Sequence, residues 1–308
     1  MCASTRFDFW PAAALALTFN FVLPRQAGQP GPSLIPLDEI QAALDRVMEP
    51  PSGNPLMLQY RTPKEFMDCR QNVATLLSES HGIAVSAEDI AITSGNSAAL
   101  GMLFSNIRIR RHSRQDVASG STYLPSAIVE HPTYFLARDM LLDAGVVGRG
   151  CEVDSQGIRV DLLRQMCEAD GPPDFVYLNP NFHNPTGAVL SKQRRQELVS
   201  LAVEFDFLVL SDEPYNLLSF GAAPPLPLAS EPGASKHVLS LGSFSKILAP
   251  GLRIGWIQGD RDLLERAWWS SGVIRSGGAL NPVGVSQNQL ADLFESDVGI
   301  LNTIMRLC

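Results

Sequence analysis

The sequence predicts an α/β domain built around a mainly parallel sheet, because short apolar runs alternate along the chain with helix-like segments. Runs such as Phe207–Leu210 and Val238–Leu241 are almost wholly apolar, as is typical of strands covered on both faces. The segment Lys192–Glu204 has the character of a helix. Ligands of such sheets bind at the carboxyl ends of the strands, so polar residues directly after the strands are the candidate site.

The first half of the chain contains an irregular arm, two helices and two strands. The arm covers residues 1–35 and ends in a Gly/Pro cluster that breaks regular structure. The spacing of apolar residues predicts one helix over Leu37–Met48, which Pro50 and Pro51 terminate, and a second from Lys64 to about Ser80. The predicted strands cover about 89–92, followed by a Ser-Gly-Asn-Ser turn and a helix, and 127–130.

The second half predicts four more strands, at 146–153, 174–178, 207–210 and 238–241. Between them lies the helix Lys192–Glu204, for which Ser191 is the expected N-cap. A further helix is expected over Leu263–Val273, and another begins at Pro282. We therefore divide the chain into an arm and first helix (1–50), a large domain (51–281) and the start of a further helix (282–308).

Composition narrows the function classes. The 308 residues carry a formal charge of −8, which argues against nucleic acid or an anionic membrane as the main partner. The five cysteines are scattered and lack metal-ligand spacing, so we expect neither disulfides nor a metal, and a reducing, cytoplasmic location. The apolar stretch 9–23 contains Pro11 and precedes no small-residue cleavage site, so it is not expected to be a targeting peptide.

One short stretch carries the clearest chemistry. Ser243-Phe244-Ser245-Lys246 follows the strand 238–241, and Arg253 lies seven residues further on. Desolvation at the mouth of a sheet lowers the pKa of an amine and makes it a nucleophile toward carbonyls. Hydroxyl groups and an arginine together suit a phosphate. An amine that reacts with aldehydes beside a phosphate site suggests pyridoxal phosphate, although a surface lysine after a strand has the same local sequence.

Other candidate residues also lie at strand ends. The turn containing Gly95 opens a helix, whose N-terminus can bind an anion, although many strand-to-helix turns look alike. Tyr134 could stack on a planar ligand or simply pack in the core. Asn184 and Asp212 follow two further strands. Asp212 and its neighbour Glu213 should face opposite ways, because side chains alternate along a strand.

Together, these motifs resemble the class I/II aminotransferases, pyridoxal-phosphate enzymes of fold type I, and are most similar to the 2-aminoadipate and aromatic aminotransferase subgroup and its related regulator domains. The resemblance runs from about residue 28 to about residue 281. It rests on five segments in the family's order: Thr93-Ser94-Gly95, Glu130-His131-Pro132-Thr133-Tyr134, Asn184-Pro185-Thr186-Gly187, Asp212-Glu213-Pro214-Tyr215, and Ser243-Phe244-Ser245-Lys246 with Pro250-Gly251-Leu252-Arg253.

The resemblance implies a mainly parallel, seven-stranded sheet between helices and a role for each residue. Lys246 would hold the cofactor as a Schiff base and shuttle the substrate proton, while Asp212 would keep the pyridine nitrogen protonated. Asn184 and Tyr215 would bind the ring oxygen, and Tyr134 would stack on the ring. The expected phosphate ligands are Gly95, Asn96, Ser243, Ser245, Arg253 and, across a homodimer interface, Tyr60 of a neighbouring subunit.

The resemblance further implies amino-group transfer from an amino acid to a 2-oxo acid, with 2-oxoglutarate the expected acceptor. The family's C-terminal small domain, which carries the arginine that binds the substrate carboxylate, has no counterpart before Cys308. Two alternatives therefore stay open: a shortened, catalytically impaired cofactor-binding homologue, and a lyase of the same fold. No helix-turn-helix segment precedes residue 35, which disfavours a regulator.

Overall fold

The computed structural model describes residues 28–48, 67–111, 124–218 and 223–275. Several sequence predictions lie outside these ranges: most of the N-terminal arm, Tyr60, and the helix expected from Pro282. Within these ranges no helix combines the length and apolar character needed to cross a lipid bilayer.

The described residues form one mixed sheet. Its strands are β1 (Ile90–Thr93), β2 (Ser126–His131), β3 (Val147–Asp154), β4 (Gly157–Ile158), β5 (Phe175–Leu178), β6 (Leu208–Asp212), β7 (Val238–Ser243) and β8 (Gly255–Gln258). Their spatial order is β1-β8-β7-β6-β5-β2-β3-β4. Strands β7, β6, β5, β2 and β3 pair in parallel, whereas β8 is antiparallel to both of its neighbours. The predicted mainly parallel sheet is confirmed; a two-residue β4, antiparallel to β3, adds an eighth strand to the predicted seven.

The helices cover both faces of this sheet. They are α1 (Leu37–Met48), α2 (Met67–His81), α3 (Asn96–Arg111), α4 (Phe135–Asp143), α5 (Val160–Asp170), α6 (Lys192–Phe205), α7 (Arg261–Leu264) and α8 (Gly272–Arg275), with a π-helical turn at Glu265–Trp269. The predicted cap of α6 is confirmed, since Ser191 Oγ accepts a hydrogen bond from the Arg194 N–H at 3.4 Å. The single helix predicted over Leu263–Val273 is wrong: that segment is divided between α7, the π-helical turn and α8.

The core lies in layers on the two sides of the sheet. One layer contains Phe104 of α3, which stacks on Phe175 of β5 with ring centroids 5.2 Å apart, together with the buried Trp268. On the other side, α5 and α6 cover residues such as Ile128 and Val209. Strands enclosed by helices on both faces explain why their sequences are continuously apolar. This arrangement leaves the strand ends as the place for polar chemistry.

The strand directions determine where the candidate residues meet. Because β8 is antiparallel to both β1 and β7, β1 runs in the same direction as β7, β6, β5 and β2. The carboxyl ends of these five strands therefore share one edge of the sheet. The segments that contain Gly95, Tyr134, Asn184, Asp212 and Lys246 all leave the sheet at this edge.

Candidate active site

A cleft of about 170 Å³ opens at this edge. It brings together nine of the residues singled out in the sequence: Asn96, Tyr134, Asn184, Asp212, Tyr215, Ser243, Ser245, Lys246 and Arg253. Gly95 lies beside Arg253 at the edge of the cleft. Of the residues predicted for this site, Tyr60 falls outside the described ranges. The remaining lining residues are Ser97, Leu100, Asn179, Pro214 and Pro250.

Lys246 extends from the turn after β7 into the cleft. Its Nζ atom donates a hydrogen bond to the Gly28 carbonyl and lies 5.8 Å from the centre of the Tyr215 ring. Burial lowers the pKa of the amine, the charge of Asp212 opposes this effect, and the positive charge of Arg253 adds to it. A lower pKa increases the neutral fraction of the amine, which is the form that attacks a carbonyl.

Asp212 ends β6 beneath the cleft, with its carboxylate oxygens hydrogen-bonded to side chains. Asn96 Nδ2 donates to Oδ1 at 2.7 Å, and the Tyr177 hydroxyl donates to Oδ2 at 2.9 Å. Burial raises the pKa of Asp212, while the hydrogen bonds and the charge of Lys246 lower it. A buried carboxylate with several donors and an amine nearby can hold a cationic group of a ligand.

The side of the cleft contains amide and phenol groups. Burial and the charge of Asp212 raise the pKa of Tyr215, and a hydrogen bond with the Asn184 side chain opposes that shift. Burial also raises the pKa of Tyr134, with smaller contributions from the charges of Asp212 and Tyr215. Tyr134 additionally contacts Phe135 edge-on, with ring centroids 5.5 Å apart. These hydroxyls therefore stay protonated near neutral pH and are available as hydrogen-bond donors.

The opposite end of the cleft suits an anion. Helix α3 begins at Asn96 and directs its N-terminus toward the cleft, where free N–H groups and the helix dipole favour negative charge. The Ser243 hydroxyl donates to Ser245 Oγ at 2.9 Å, and the Ser245 N–H donates to Ser243 Oγ at 3.1 Å. Arg253, held in a left-handed conformation at φ 51°, donates to the Ser94 carbonyl at 3.2 Å.

Gly95 is required where it stands, for two reasons. Its φ of +91° is a conformation that side chains disfavour, and a Cβ at this position would lie 3.0 Å from Arg253 Nη2. The glycine lets the guanidinium pack directly over the turn that opens α3. The donors that surround this turn are the hydroxyls of Ser243 and Ser245, the Arg253 guanidinium and the N-terminus of α3. Together they form a cradle whose donor set fits a phosphate group.

Two residues important to the site were missed by the sequence analysis. Tyr177 lies within β5, where an aromatic residue is expected to pack in the core. Only the pairing of Tyr177 with Leu210 of β6 shows that its hydroxyl reaches Asp212. Asn179 Nδ2 donates to the backbone carbonyl of Asp212 at 2.8 Å. Its position directly after β5 is the signal that could have identified it.

The predicted opposite orientation of Asp212 and Glu213 is confirmed. Asp212 faces the cleft, whereas Glu213 accepts hydrogen bonds from the Ser211 and Ser240 hydroxyls at 2.7 and 2.6 Å behind it. Glu213 therefore does not form an acid–base pair with Asp212. The two carboxylates are adjacent in the sequence but lie in separate environments.

Comparison with known proteins gives matches across most of the chain. The family model for aminotransferase class I and II matches residues 36–270. Aromatic-amino-acid aminotransferase 1 of Thermococcus litoralis is 32% identical over 251 residues, which cover 80% of this chain and 56% of that protein. An uncharacterized HTH-type transcriptional regulator of Bacillus subtilis, YisV, is 34% identical, covering 78% of this chain and 45% of the regulator. The chain thus spans about half the length of these relatives.

Solved structures show the same fold. A Pyrococcus horikoshii kynurenine aminotransferase in complex with PMP superposes with a TM-score of 0.70 at 28% identity, covering 91% of this chain and 65% of that one. An alpha-aminoadipate aminotransferase from Thermus thermophilus, complexed with N-(5'-phosphopyridoxyl)-L-leucine, gives a TM-score of 0.71 at 26% identity, with the same coverages. The predicted fold type I and the predicted cofactor, pyridoxal phosphate, are supported by these matches. The chain belongs to the aminotransferase class I and II family.

Proposed function

We propose that this protein is a pyridoxal-phosphate-dependent aminotransferase that moves an amino group from an amino acid to a 2-oxo acid. One observation carries the proposal: a single cleft is lined by the amine of Lys246, whose pKa burial lowers, by the buried carboxylate of Asp212 and by a cradle of phosphate donors. When bound, the cofactor supplies an aldehyde that amines attack and a ring that withdraws electrons from the substrate α-carbon.

Lys246 has two tasks in this proposal. Its Nζ would hold the cofactor by reaction with the cofactor's aldehyde, and the same atom, when free, would accept a proton from the substrate α-carbon and return it. Burial within the cleft favours both, because it shifts Lys246 toward the neutral form that acts as nucleophile and base.

Asp212 and the phenol groups orient and polarise the ring. The Asp212 carboxylate would pair with the ring nitrogen and favour its protonated form, which is the form that withdraws electrons. Asn184 and Tyr215 hydrogen-bond the ring oxygen, and Tyr134 packs against the ring face. Each of these side chains lines the cleft.

The phosphate cradle fixes the other end of the cofactor. Backbone N–H groups of Gly95 and Asn96, the hydroxyls of Ser243 and Ser245, and the Arg253 guanidinium hold the phosphate dianion. By holding the phosphate, these groups would keep the reacting end of the cofactor within reach of Lys246, which is the positioning contribution to rate.

Substrates and assembly are inferred from the family. Two relatives are named an aromatic-amino-acid aminotransferase and a 2-aminoadipate transaminase, which supports an amino acid donor. We infer 2-oxoglutarate as the acceptor from the resemblance to the family alone. We infer a homodimer in which Tyr60 reaches the phosphate of the partner subunit. Buried free cysteines at Cys69, Cys151 and Cys167 support a cytoplasmic location.

One competing function is that of a cofactor-binding homologue that turns over poorly. Orientation of the substrate is a large share of the rate, so a protein can bind the cofactor and still turn over slowly. A lyase of the same fold is the other alternative. It would release a different product from the same amino acid.

The deciding experiment follows the cofactor and then the amino group. Purified protein loaded with pyridoxal phosphate is reduced with borohydride, digested and analysed by mass spectrometry; we expect the cofactor on Lys246. The Lys246→Ala variant should lose this modification, whereas Lys236→Ala, which removes an exposed lysine, should keep it. Protein that binds no cofactor would refute the proposal.

The second stage separates the alternatives. Addition of an amino acid should bleach the absorbance band of the lysine-bound cofactor, and 2-oxoglutarate should restore it with formation of glutamate. Release of ammonia or carbon dioxide from the amino acid, with no need for a 2-oxo acid acceptor, identifies a lyase. A bound cofactor that no amino acid bleaches identifies the impaired homologue.

A further inference from the structure

The carboxylate of Asp212 is held by side chains from two separate elements of the fold. Asn96, in the first turn of α3, donates to Oδ1 at 2.7 Å, and Tyr177 of β5 donates to Oδ2 at 2.9 Å. Since each oxygen has its own donor, the carboxylate can neither rotate nor swing without breaking a short, charge-assisted hydrogen bond. The plane of the carboxylate is therefore fixed before any ligand arrives.

Tyr177 is a buried donor rather than an exchangeable acid. Its side chain is fully buried, and its ring contacts Phe104 edge-on with centroids 6.0 Å apart. Burial and the neighbouring charge of Asp212 raise the pKa of the phenol well above its ordinary value. The proton consequently stays on Tyr177, and the hydroxyl must donate to the carboxylate.

The orientation of the Asn96 amide is also determined. Its Nδ2 atom faces two acceptors, Asp212 Oδ1 and the Leu241 backbone carbonyl at 3.1 Å. Turning the amide over would place its oxygen against two oxygens, while Asn96 Oδ1 has no hydrogen-bond partner within the described residues. The Asn96 side chain thus connects Asp212 and β7 to the turn that opens α3, which is part of the phosphate cradle.

We propose that Asn96 and Tyr177 are positioning residues that keep Asp212 in its carboxylate form and orient it toward the cofactor's ring nitrogen. This inference rests on the proposed function. Both donors stabilise the anion of Asp212, so the proton shared between carboxylate and ring stays on the ring nitrogen. Removing either donor raises the proton affinity of Asp212, and the proton then moves from the ring nitrogen to the carboxylate.

The test measures the ring nitrogen directly. Wild-type protein, Tyr177→Phe and Asn96→Ser are each loaded with pyridoxal phosphate labelled with ¹⁵N in the ring, and the ¹⁵N resonance reports whether that nitrogen carries a proton. We expect a protonated nitrogen in the wild type and a shift toward the unprotonated position in both variants. The kcat for amino-group transfer should fall about tenfold, the effect of one lost hydrogen bond to a charged group, with KM for the amino acid unchanged.

Ser240→Ala is the matched control. It removes a hydroxyl that donates to the other buried carboxylate, Glu213, at 2.6 Å, and so perturbs the same region without touching Asp212. Its ¹⁵N resonance should match that of the wild type. Tyr177→Phe changes a core residue and could impair folding. Asn96→Ser tests the same inference at a polar residue in the first turn of α3, outside the core, so the test does not depend on Tyr177→Phe alone.

The outcomes separate this inference from the proposed function. Wild-type protein that binds no cofactor overturns both. If the wild type binds it with a protonated nitrogen, and Tyr177→Phe and Asn96→Ser leave the ¹⁵N resonance and kcat within twofold of wild type, the positioning role is refuted while the proposed function stands. A ring nitrogen that loses its proton in Ser240→Ala as well would also refute it, because the effect would then be a general response to core mutation.

Discussion

Asp212 and Glu213 are adjacent carboxylates, both buried, that end up in opposite environments. Asp212 lines the same cleft as Lys246, and each of its carboxylate oxygens accepts one side-chain hydrogen bond, from Asn96 or from Tyr177. Glu213 lies behind the sheet edge, where its two oxygens accept five hydrogen bonds. The donors are the hydroxyls of Ser211 and Ser240, the Leu228 N–H, and the side-chain amides of Asn181 and Asn216.

The donors around a buried carboxylate indicate whether its role is structural or in ligand binding. A carboxylate whose acceptor positions are filled by the protein is part of the structure, and Glu213 holds the loop that carries Tyr215. A carboxylate with an open side facing a cleft is available to a ligand, as Asp212 is. Burial raises the pKa of both residues, so the pKa shift by itself does not distinguish them.

Substitution of the open carboxylate should affect chemistry more than folding. We expect Asp212→Asn to lower kcat about 100- to 1,000-fold, the range for losing one electrostatic group that stabilises a transition state. Its free energy of unfolding should change by about 1 kcal/mol or less, because the new amide can keep its oxygen toward Asn96 and donate its N–H to the Tyr177 hydroxyl, which can rotate to accept it, while loss of the buried charge relieves the desolvation. Steady-state kinetics and urea unfolding measure the two quantities. Unfolding without a kinetic defect would reverse the assignment of the two carboxylates.

Substitution of the enclosed carboxylate should do the reverse. Glu213→Gln replaces one carboxylate oxygen with an NH₂ group, which faces groups that donate hydrogen bonds to that oxygen in the wild type. At least one of these buried donors therefore loses its acceptor. Asn181 cannot turn over to adapt, because its Oδ1 accepts a hydrogen bond from Arg195 at 3.3 Å. The free energy of unfolding should fall by about 2 kcal/mol, the effect of an unsatisfied buried group, with little change in kcat of the folded fraction.

The control for this measurement is Glu197→Gln on the exposed face of α6, where a single hydrogen bond from Gln193 is replaced. Its free energy of unfolding should stay within about 0.5 kcal/mol of wild type. If Glu213→Gln and Glu197→Gln lower the free energy of unfolding equally, the hydrogen bonds around Glu213 do not stabilise the protein as proposed.

The same contrast shows what the sequence could predict. Side-chain alternation along β6 was enough to separate Asp212 from Glu213, and the apolar strands were enough to place Lys246, Asp212 and Asn184 at one sheet edge. The sequence did not reveal Tyr177, because pairing of β5 with β6, and not any local pattern, brings its hydroxyl to Asp212.

Element predictions failed for similar reasons. Strand β8 begins at Gly255, two residues after Arg253, and its pairing with β1 and β7 is entirely non-local. Helices α4 and α5 were missed although α5 buries Leu163 and Cys167 on one face, a signal that the sequence contains. The helix at Leu263–Val273 was predicted from composition, which does not distinguish α-helical from π-helical hydrogen bonding.

A third prediction tests the phosphate side of the cleft. In Gly95→Ala the new Cβ would lie 3.0 Å from Arg253 Nη2, at a φ of +91°, so the guanidinium must move away from the cradle. We expect pyridoxal phosphate to bind about tenfold more weakly, because that is about the effect of losing one hydrogen bond between charged groups. Fluorescence titration of the cofactor-free protein measures it.

Gly101→Ala provides the matched control within α3, because nothing lies within 4 Å of its added Cβ. There the alanine should stabilise the protein by about 0.5–1 kcal/mol and leave cofactor affinity unchanged. Equal losses of affinity in the two variants would contradict the role given to Gly95.

The smallest expected effect concerns Lys246 in the cofactor-free protein. Folding lowers the pKa of this amine below its ordinary value of 10.5, so between the two values the unfolded chain binds more protons than the native one, and the contribution of Lys246 to stability rises with pH. Lys246→Met lacks this contribution. Its free energy of unfolding relative to wild type should therefore decrease as the pH is raised from 8 toward 10.5, measured by urea unfolding at each pH. A constant difference, or one that grows with pH, would mean that the cleft does not favour the neutral amine on which both tasks of Lys246 depend.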